Sequence, residues 1–277
     1  MDQRINVLDK GYIRLVDTNL TKAVMGTDLS SVNAARASFM KESNELNEKD
    51  IRLIKFLAEH GHQSPFRHAT IALEYKAPLM VARQLFKYRV GHTHSPDNAE
   101  LLGFCVPEEI SNTFWKYVED VLGFVGIGDD SGFFDLMYAR NEASRRYVTL
   151  EPEFYFPSVW RSAPENKKQG SGAEVEEEIG DTADYLLGEI VNVGLKSYVW
   201  ALERGICAEQ ARLFLPMYGL YTVWRHTSSV QGLAHLFNQR LGEDAQSETK
   251  EYAEAAYKLT YPLFQHSLSQ LVKKEIE

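Results

Sequence analysis

A mostly helical α+β fold with a small central antiparallel sheet is what the sequence predicts, on two observations. Apolar residues recur at the helical period through much of the chain, with long stretches from about 173 or 181 to 204 and from 245 to 272. Alternating, strand-like patterns are few and short, at 5–17, 69–75 and 220–227. Many helices beside one small sheet define the α+β class. The 277 residues, 44% hydrophobic and 25% charged, can bury a substantial core in a single domain spanning 1–277.

In chain order, 5–17 reads as one or two strands around the Lys10-Gly11 turn. Leu29 and Ser30 open a helix through Ala34, Ala35 and Phe39. Across 48–62, Ile51, Ile54, Leu57 and Ala58 keep roughly helical spacing, and Gly61 supplies a stop. ATIALEY, 69–75, puts Ile71, Leu73 and Tyr75 on one strand face. Pro78 stands where a helix should begin, ahead of LMVARQLFKYRV. The stretch 91–104 reads as loop, and 107–138 mixes helical spacing with the turn-rich GIGDDSG. WRSAPENKKQGSG, 160–172, is polar and glycine-containing and predicts an exposed loop. After the long helix to 204, a short helix at 207–214 stops at Leu215-Pro216. A strand at 220–227 and a helix at 230–241 precede the final helix, 245–272.

Thirty Lys and Arg against 39 Asp and Glu leave a net charge of −9, so the basic footprint of nucleic-acid binding is missing. No run of 18 apolar residues offers a transmembrane helix. The first residues carry charges where a signal peptide needs an apolar core. Cys105 and Cys207 are too few for a disulfide framework or a four-thiolate zinc site. The expectation is a cytoplasmic protein with neither nucleic-acid nor membrane partners.

His60 and His62, like His92 and His94, are paired at i, i+2 with no convincing third ligand, so no metal site is predicted. P-loop, dinucleotide GxGxxG and GxSxG patterns are missing. Five arginines, Arg83, Arg89, Arg146, Arg212 and Arg240, stand among apolar or aromatic neighbours. A guanidinium on such a face needs a carboxylate or a bound anion. Internal ion pairs are the simpler reading for each one; five on separate segments also suit a converging anion site.

From about residue 5 to 257 the chain resembles the flavin-dependent (ThyX-type) thymidylate synthases, with the pieces in family order. LDKGYIRLVD looks like the first strand pair, AARASF with Ser38 like the following helix end, and HGHQSPFRH (60–68) like the family's His-Gly-His, Ser/Thr-Pro-Phe, His segment. KAPLMVARQLFKYR is similar to the helix leading into the family signature. RNEASRRYVTLEPEFYFP resembles the signature's second half and the Phe-Tyr-x-Pro stretch behind it. WRSAPENKKQGSG looks like a loop seen in many members, and ARLFLP and HLFNQRLGEDAQSE are similar to the C-terminal substrate-binding segments.

Departures from the family fall mostly on flavin-contacting positions. Lys87-Tyr88-Arg89 replaces Arg-His-Arg, and 54 residues separate Arg89 from Ser144 where the signature has seven, an insertion placed at about 91–138. Asn98-Ala99-Glu100 lies nearer than Asn141-Glu142 but lacks the following Ser-x-Arg-Tyr. Ser229-Val230-Gln231 stands where members carry Asn-x-Arg, Asp244 stands at the later His position, and His235 falls where Asn or His is usual.

The resemblance implies reductive methylation of dUMP to dTMP, with FAD as cofactor, methylenetetrahydrofolate as carbon donor, NADPH as reductant, and a homotetramer holding FAD between subunits. It implies substrate binding by Gln84, Glu142, Ser144, Arg146, Arg212 and Arg240, with Arg240 and Ser144 at the reacting ring. It implies cofactor binding by Ser38, His62, Ser64, Lys87, Tyr88, Arg89, Asn141, Ser229, Gln231 and His235. Guanidinium forks at Arg146 and Arg212 suit a phosphate dianion, and Arg240 suits charge developing on the pyrimidine. Lys87 replaces an arginine's charge but not its fork, and Tyr88 can stack but cannot be cationic. Two alternatives stay open: a different C5 modification such as hydroxymethylation, and a nucleotide-binding homologue without catalysis. Phe104, Phe114, Trp115, Tyr117, Phe133 and Phe134 make 91–138 too apolar for a solvated loop, which predicts a small helical subdomain over the cofactor entrance or against a neighbouring subunit.

Overall fold

The computed structural model describes residues 4–16, 24–88, 139–142, 151–164, 170–242 and 245–273, with backbone alone at Met25 and 139–142. The expected subdomain at 91–138 lies outside the described residues.

Among the described residues six antiparallel strands form the sheet: β1 (Arg4–Val7), β2 (Gly11–Leu15), β3 (Val24–Met25), β4 (Thr70–Pro78), β5 (Ala139–Glu142) and β6 (Tyr221–Ser229). They run in the order β1-β2-β4-β6-β5, with β3 also on β4. The long central pair is β4–β6, in register from Thr70 opposite Ser229 to Pro78 opposite Tyr221. Ile71, Leu73, Tyr75 and Ala77 alternate onto the core face of β4, as period two requires. Gly11 in β2 is dictated by close approach, since a Cβ there would lie 1.8 Å from the Tyr252 hydroxyl.

Eight α-helices are described: α1 (Asp28–Arg36), α2 (Glu48–Glu59), α3 (Leu79–Leu85), α4 (Glu177–Glu203), α5 (Ala208–Ala211), α6 (Val230–Arg240), α7 (Ser247–Thr260) and α8 (Gln265–Leu271). Capping boxes at Thr27 and Asn47 satisfy the first N–H groups of α1 and α2. Gly61, at φ +71°, turns the chain after α2. No helix among the described residues is long and apolar enough to cross a membrane.

Helix ends depart from the sequence reading for local reasons. The single helix expected at 245–272 breaks into α7 and α8 at the 3₁₀ turn Tyr261–Leu263, where Pro262 has no N–H to continue the ladder. The helix expected through Phe39 closes with a 3₁₀ turn, Ala37–Phe39, and Met40 follows at φ 51°. The strand expected to end at Tyr75 continues to Pro78, and β5 was not expected at all.

The main core fills the space between the sheet and the helices, with Ile54, Phe66, Leu233, Phe237, Tyr252 and Leu268 buried there. A second cluster, including Phe154, Val191, Tyr198, Leu215 and Leu220, lies along α4. The sheet's other face carries an ion cluster. Glu74 accepts from Arg14 Nε at 2.7 Å, Arg225 Nε at 2.6 Å and the Tyr12 hydroxyl at 2.9 Å.

Burial alone would raise the Glu74 carboxyl, but these donors outweigh it and hold the pKa at about 2, below its ordinary 4.5. A carboxyl depressed on folding stabilises fully above its unfolded pKa and loses that contribution as pH falls toward the folded value. The stability advantage of the protein over Glu74→Gln, measured by urea unfolding, should therefore be constant above about pH 4.5 and shrink steadily toward pH 2.

Candidate functional site

The ends of the β4–β6 ladder build the site. At one end α3 starts directly after Pro78, which caps it in extended conformation. At the other, α6 starts after Ser229, whose hydroxyl accepts from Gly232 N at 3.1 Å. α3 and α6 bring their far ends together. Arg240 Nη2 donates to Gln84 Oε1 at 2.8 Å, and the guanidinium lies 5.2 Å from the Tyr88 ring centroid. The Tyr88 ring in turn lies 5.8 Å from the His235 imidazole.

The electrostatics of this cluster are one-sided. Arg240 Nε is buried with no hydrogen-bond partner, and no carboxylate among the described residues pairs with Arg240. Among the described residues Arg240 forms no internal ion pair, which suits the bound-anion reading. Burial raises the Tyr88 phenol, opposed by Arg240, so the ring stays protonated at neutral pH. Burial lowers His235, which keeps its imidazole uncharged at pH 7.

The other sequence candidates are placed as follows. Gln231 is buried in the first turn of α6, and Ser229 is spent on the cap. Ser38, His62, Ser64 and Lys87 are exposed, with the His62 ring 6.1 Å from Phe56. Nothing described joins Ser38 to the α3–α6 cluster. Asn141 and Glu142 lie on β5 opposite Arg225 and Trp224. Arg89, Ser144 and Arg146 fall outside the described residues.

Arg212 is half-buried on the 3₁₀ turn Arg212–Phe214, which packs on α4 at Gly194. Arg83 corrects the sequence reading: it is exposed, one helix position from Gln84, and no described contact joins it or Arg212 to Arg240. The start of the expected 160–172 loop is anchored by two side chains. Trp160 Nε1 donates to Asp184 at 2.8 Å, and Arg161 pairs with the buried Glu248.

Sequence reasoning missed Arg67. It ends the 3₁₀ turn Ser64–Arg67 and donates from Nε to Gln231 Oε1 at 2.5 Å. The available signal was the unexplained arginine in SPFRH together with the missing arginine at position 231. Among the described residues no three His, Cys, Asp or Glu side chains gather to hold a metal ion.

The sequence model of the family described as thymidylate synthase complementing protein (Thy1) matches residues 19–117 and 137–264. The chain belongs to this family. It is 32% identical to the flavin-dependent thymidylate synthase of Thermotoga neapolitana over 92% of this chain and 88% of that protein. It is likewise 32% identical to the enzyme of the same name from Thermus thermophilus, over 91% of this chain and 72% of that protein. Among solved structures, the UMP/dUMP methylase PolB of Streptomyces cacaoi bound with 5-Br UMP superposes with a TM-score of 0.67 at 20% identity, covering 96% of this chain and 95% of that one. That likeness shows a common fold.

Gly194 sets the seat of Arg212. A Cβ there would come within 2.7 Å of the Phe214 carbonyl oxygen and 3.0 Å of Pro216 Cδ, so backbone must move. Gly194→Ala should lower stability by about 1–3 kcal/mol, the usual cost of overpacking, read from urea unfolding.

Proposed function

We propose that the protein is a flavin-dependent thymidylate synthase, methylating dUMP to dTMP with FAD as cofactor, methylenetetrahydrofolate as carbon donor and NADPH as reductant. Family membership supports the reaction class. The observation that carries the substrate reading is the Arg240 guanidinium, held on Gln84 through Nη2 with no carboxylate partner among the described residues. Gln84 spends its carbonyl oxygen on Arg240, which leaves its amide N–H groups as donors for a pyrimidine carbonyl. The Arg240 guanidinium, held on Gln84 through Nη2, supplies charge-assisted donors next to them, suited to negative charge developing on the ring. That charge polarises C5 toward the incoming carbon. Arg212 and Arg146 hold the phosphate dianion, for which planar forks are the best match. Glu142 and Ser144 hydrogen-bond the sugar or base.

The residues present fit a flavin. Tyr88 and His235 offer uncharged ring faces, and Gln231 offers an amide at the start of α6. Ser38, His62, Ser64, Lys87, Arg89, Asn141 and Ser229 complete its surroundings across subunits. FAD when bound supplies the hydride that reduces the transferred carbon.

Assembly as a homotetramer is part of the same reading. Ile179, Leu186, Val193 and Trp200 recur every seven residues on α4 and are all exposed, with Tyr185 and Ile190 beside them. A seam at that repeat suits a partner helix. In a cell this enzyme needs no membrane or nucleic acid, and a cytoplasmic address suits its soluble substrates.

Incubation with dUMP, methylenetetrahydrofolate, NADPH and FAD should yield a product of dTMP mass; a hydroxymethyl mass would replace the reading by its nearest alternative. Arg212→Ala and Arg240→Ala should each weaken dUMP binding by about tenfold to a hundredfold in calorimetric titration with folding retained. Unchanged binding in both would misplace the anion site. Ile190→Glu with Val193→Glu should turn a tetramer into smaller species by light scattering, and a wild-type monomer with full activity would contradict the assembly.

A further inference from the structure

Arg67 stands three residues before β4, and the pairing of Thr70 with Ser229 carries its turn against the first turn of α6. There Nε is engaged by Gln231 Oε1 at 2.5 Å. No described acceptor takes the two terminal nitrogens, and no carboxylate among the described residues pairs with this guanidinium. Burial depresses its pKa with no neighbouring charge acting on it. Arg67 is only half-buried, so its two terminal nitrogens remain open to a ligand that offers an anion. Gln231 fixes the fork but brings no charge; it is itself buried, so it holds Arg67 in one orientation. The unspent edge of the fork is the edge that grips a phosphate by two parallel hydrogen bonds.

The same place is where the family resemblance puts an arginine, at position 231, and where this chain has glutamine. We propose that Arg67 binds a phosphate of the flavin dinucleotide, the charge having moved from the first turn of α6 to the facing 3₁₀ turn while Gln231 became its support. This rests on the FAD reading above. It makes the loss of the arginine at 231 a relocation rather than a loss of cofactor binding.

Flavin fluorescence titration tests it, with FAD and with riboflavin, which has the ring but no phosphate. The wild type, Arg67→Met and the exchange Arg67→Gln with Gln231→Arg are compared, each with its thermal melt. Arg67→Met should lose FAD affinity by about tenfold to a hundredfold, the usual worth of a charge-assisted contact, while riboflavin affinity stays the same. The exchange should regain most of the loss, which a merely structural role for Arg67 would not produce. Should Arg67→Met fail to fold, Arg67→Lys keeps the charge without the fork and should show weaker FAD binding with riboflavin unaffected. Equal FAD affinity in the wild type and the folded variant overturns the proposal, as does a parallel loss of riboflavin or an exchange that restores nothing. A wild type that takes up no flavin is a different result: it removes the FAD reading itself.

Discussion

The nine-residue pairing of β4 with β6 is the constraint on which the rest of the structure depends. Its register buries Ile71, Leu73 and Tyr75, and a slip by one residue would turn all three to the opposite face. Helices leave both ends of the ladder without a connecting loop, α3 from Pro78 and α6 from Ser229. The same register therefore decides two contacts far apart in sequence, Gln84 with Arg240 and Arg67 with Gln231. Core and site are specified by one set of backbone hydrogen bonds.

Arginines in this protein divide into two kinds. Arg14 and Arg225 converge on Glu74, Arg36 pairs with the buried Asp50, and Arg161 pairs with the buried Glu248; these hold the scaffold. Arg240 and Arg67 have no such partner among the described residues and contact amides instead. They mark the two ends of α6, roughly 14 Å apart along its axis at 1.5 Å per residue. A half-buried guanidinium held in place by an amide keeps donors for an anionic ligand.

Much of this was legible in the sequence because the informative signals are local. Pro78 announced the start of α3, the apolar spacing of 230–241 announced α6, and the family order of short segments pointed to Gln84 and Arg240. Other features were hidden for physical reasons. Apolar neighbours in VARQLF do not tell which side of a helix is buried, and one residue, about 100° of rotation, separates exposed Arg83 from Gln84. Ala139–Glu142 shows no alternation and becomes a strand only because β6 offers an edge. Pro262 was passed over inside a helical pattern that it interrupts. Arg67 left only an indirect trace, the missing arginine at 231, because its partner lies 164 residues away and only the fold brings the two together.

The central claim is that the site receives a nucleotide whose phosphate is gripped by the guanidinium forks of Arg212 and Arg146 while Arg240 serves its ring. Thermal unfolding of the apoprotein in rising concentrations of dUMP and of deoxyuridine, which differ by the phosphate alone, tests it most directly. A ligand that binds only the folded state stabilises it by about 2.7 kcal/mol at one hundred times its Kd. The expected result is a concentration-dependent rise in Tm with dUMP and little change with deoxyuridine at the same concentrations. Equal shifts with both, or none with either, would contradict the account.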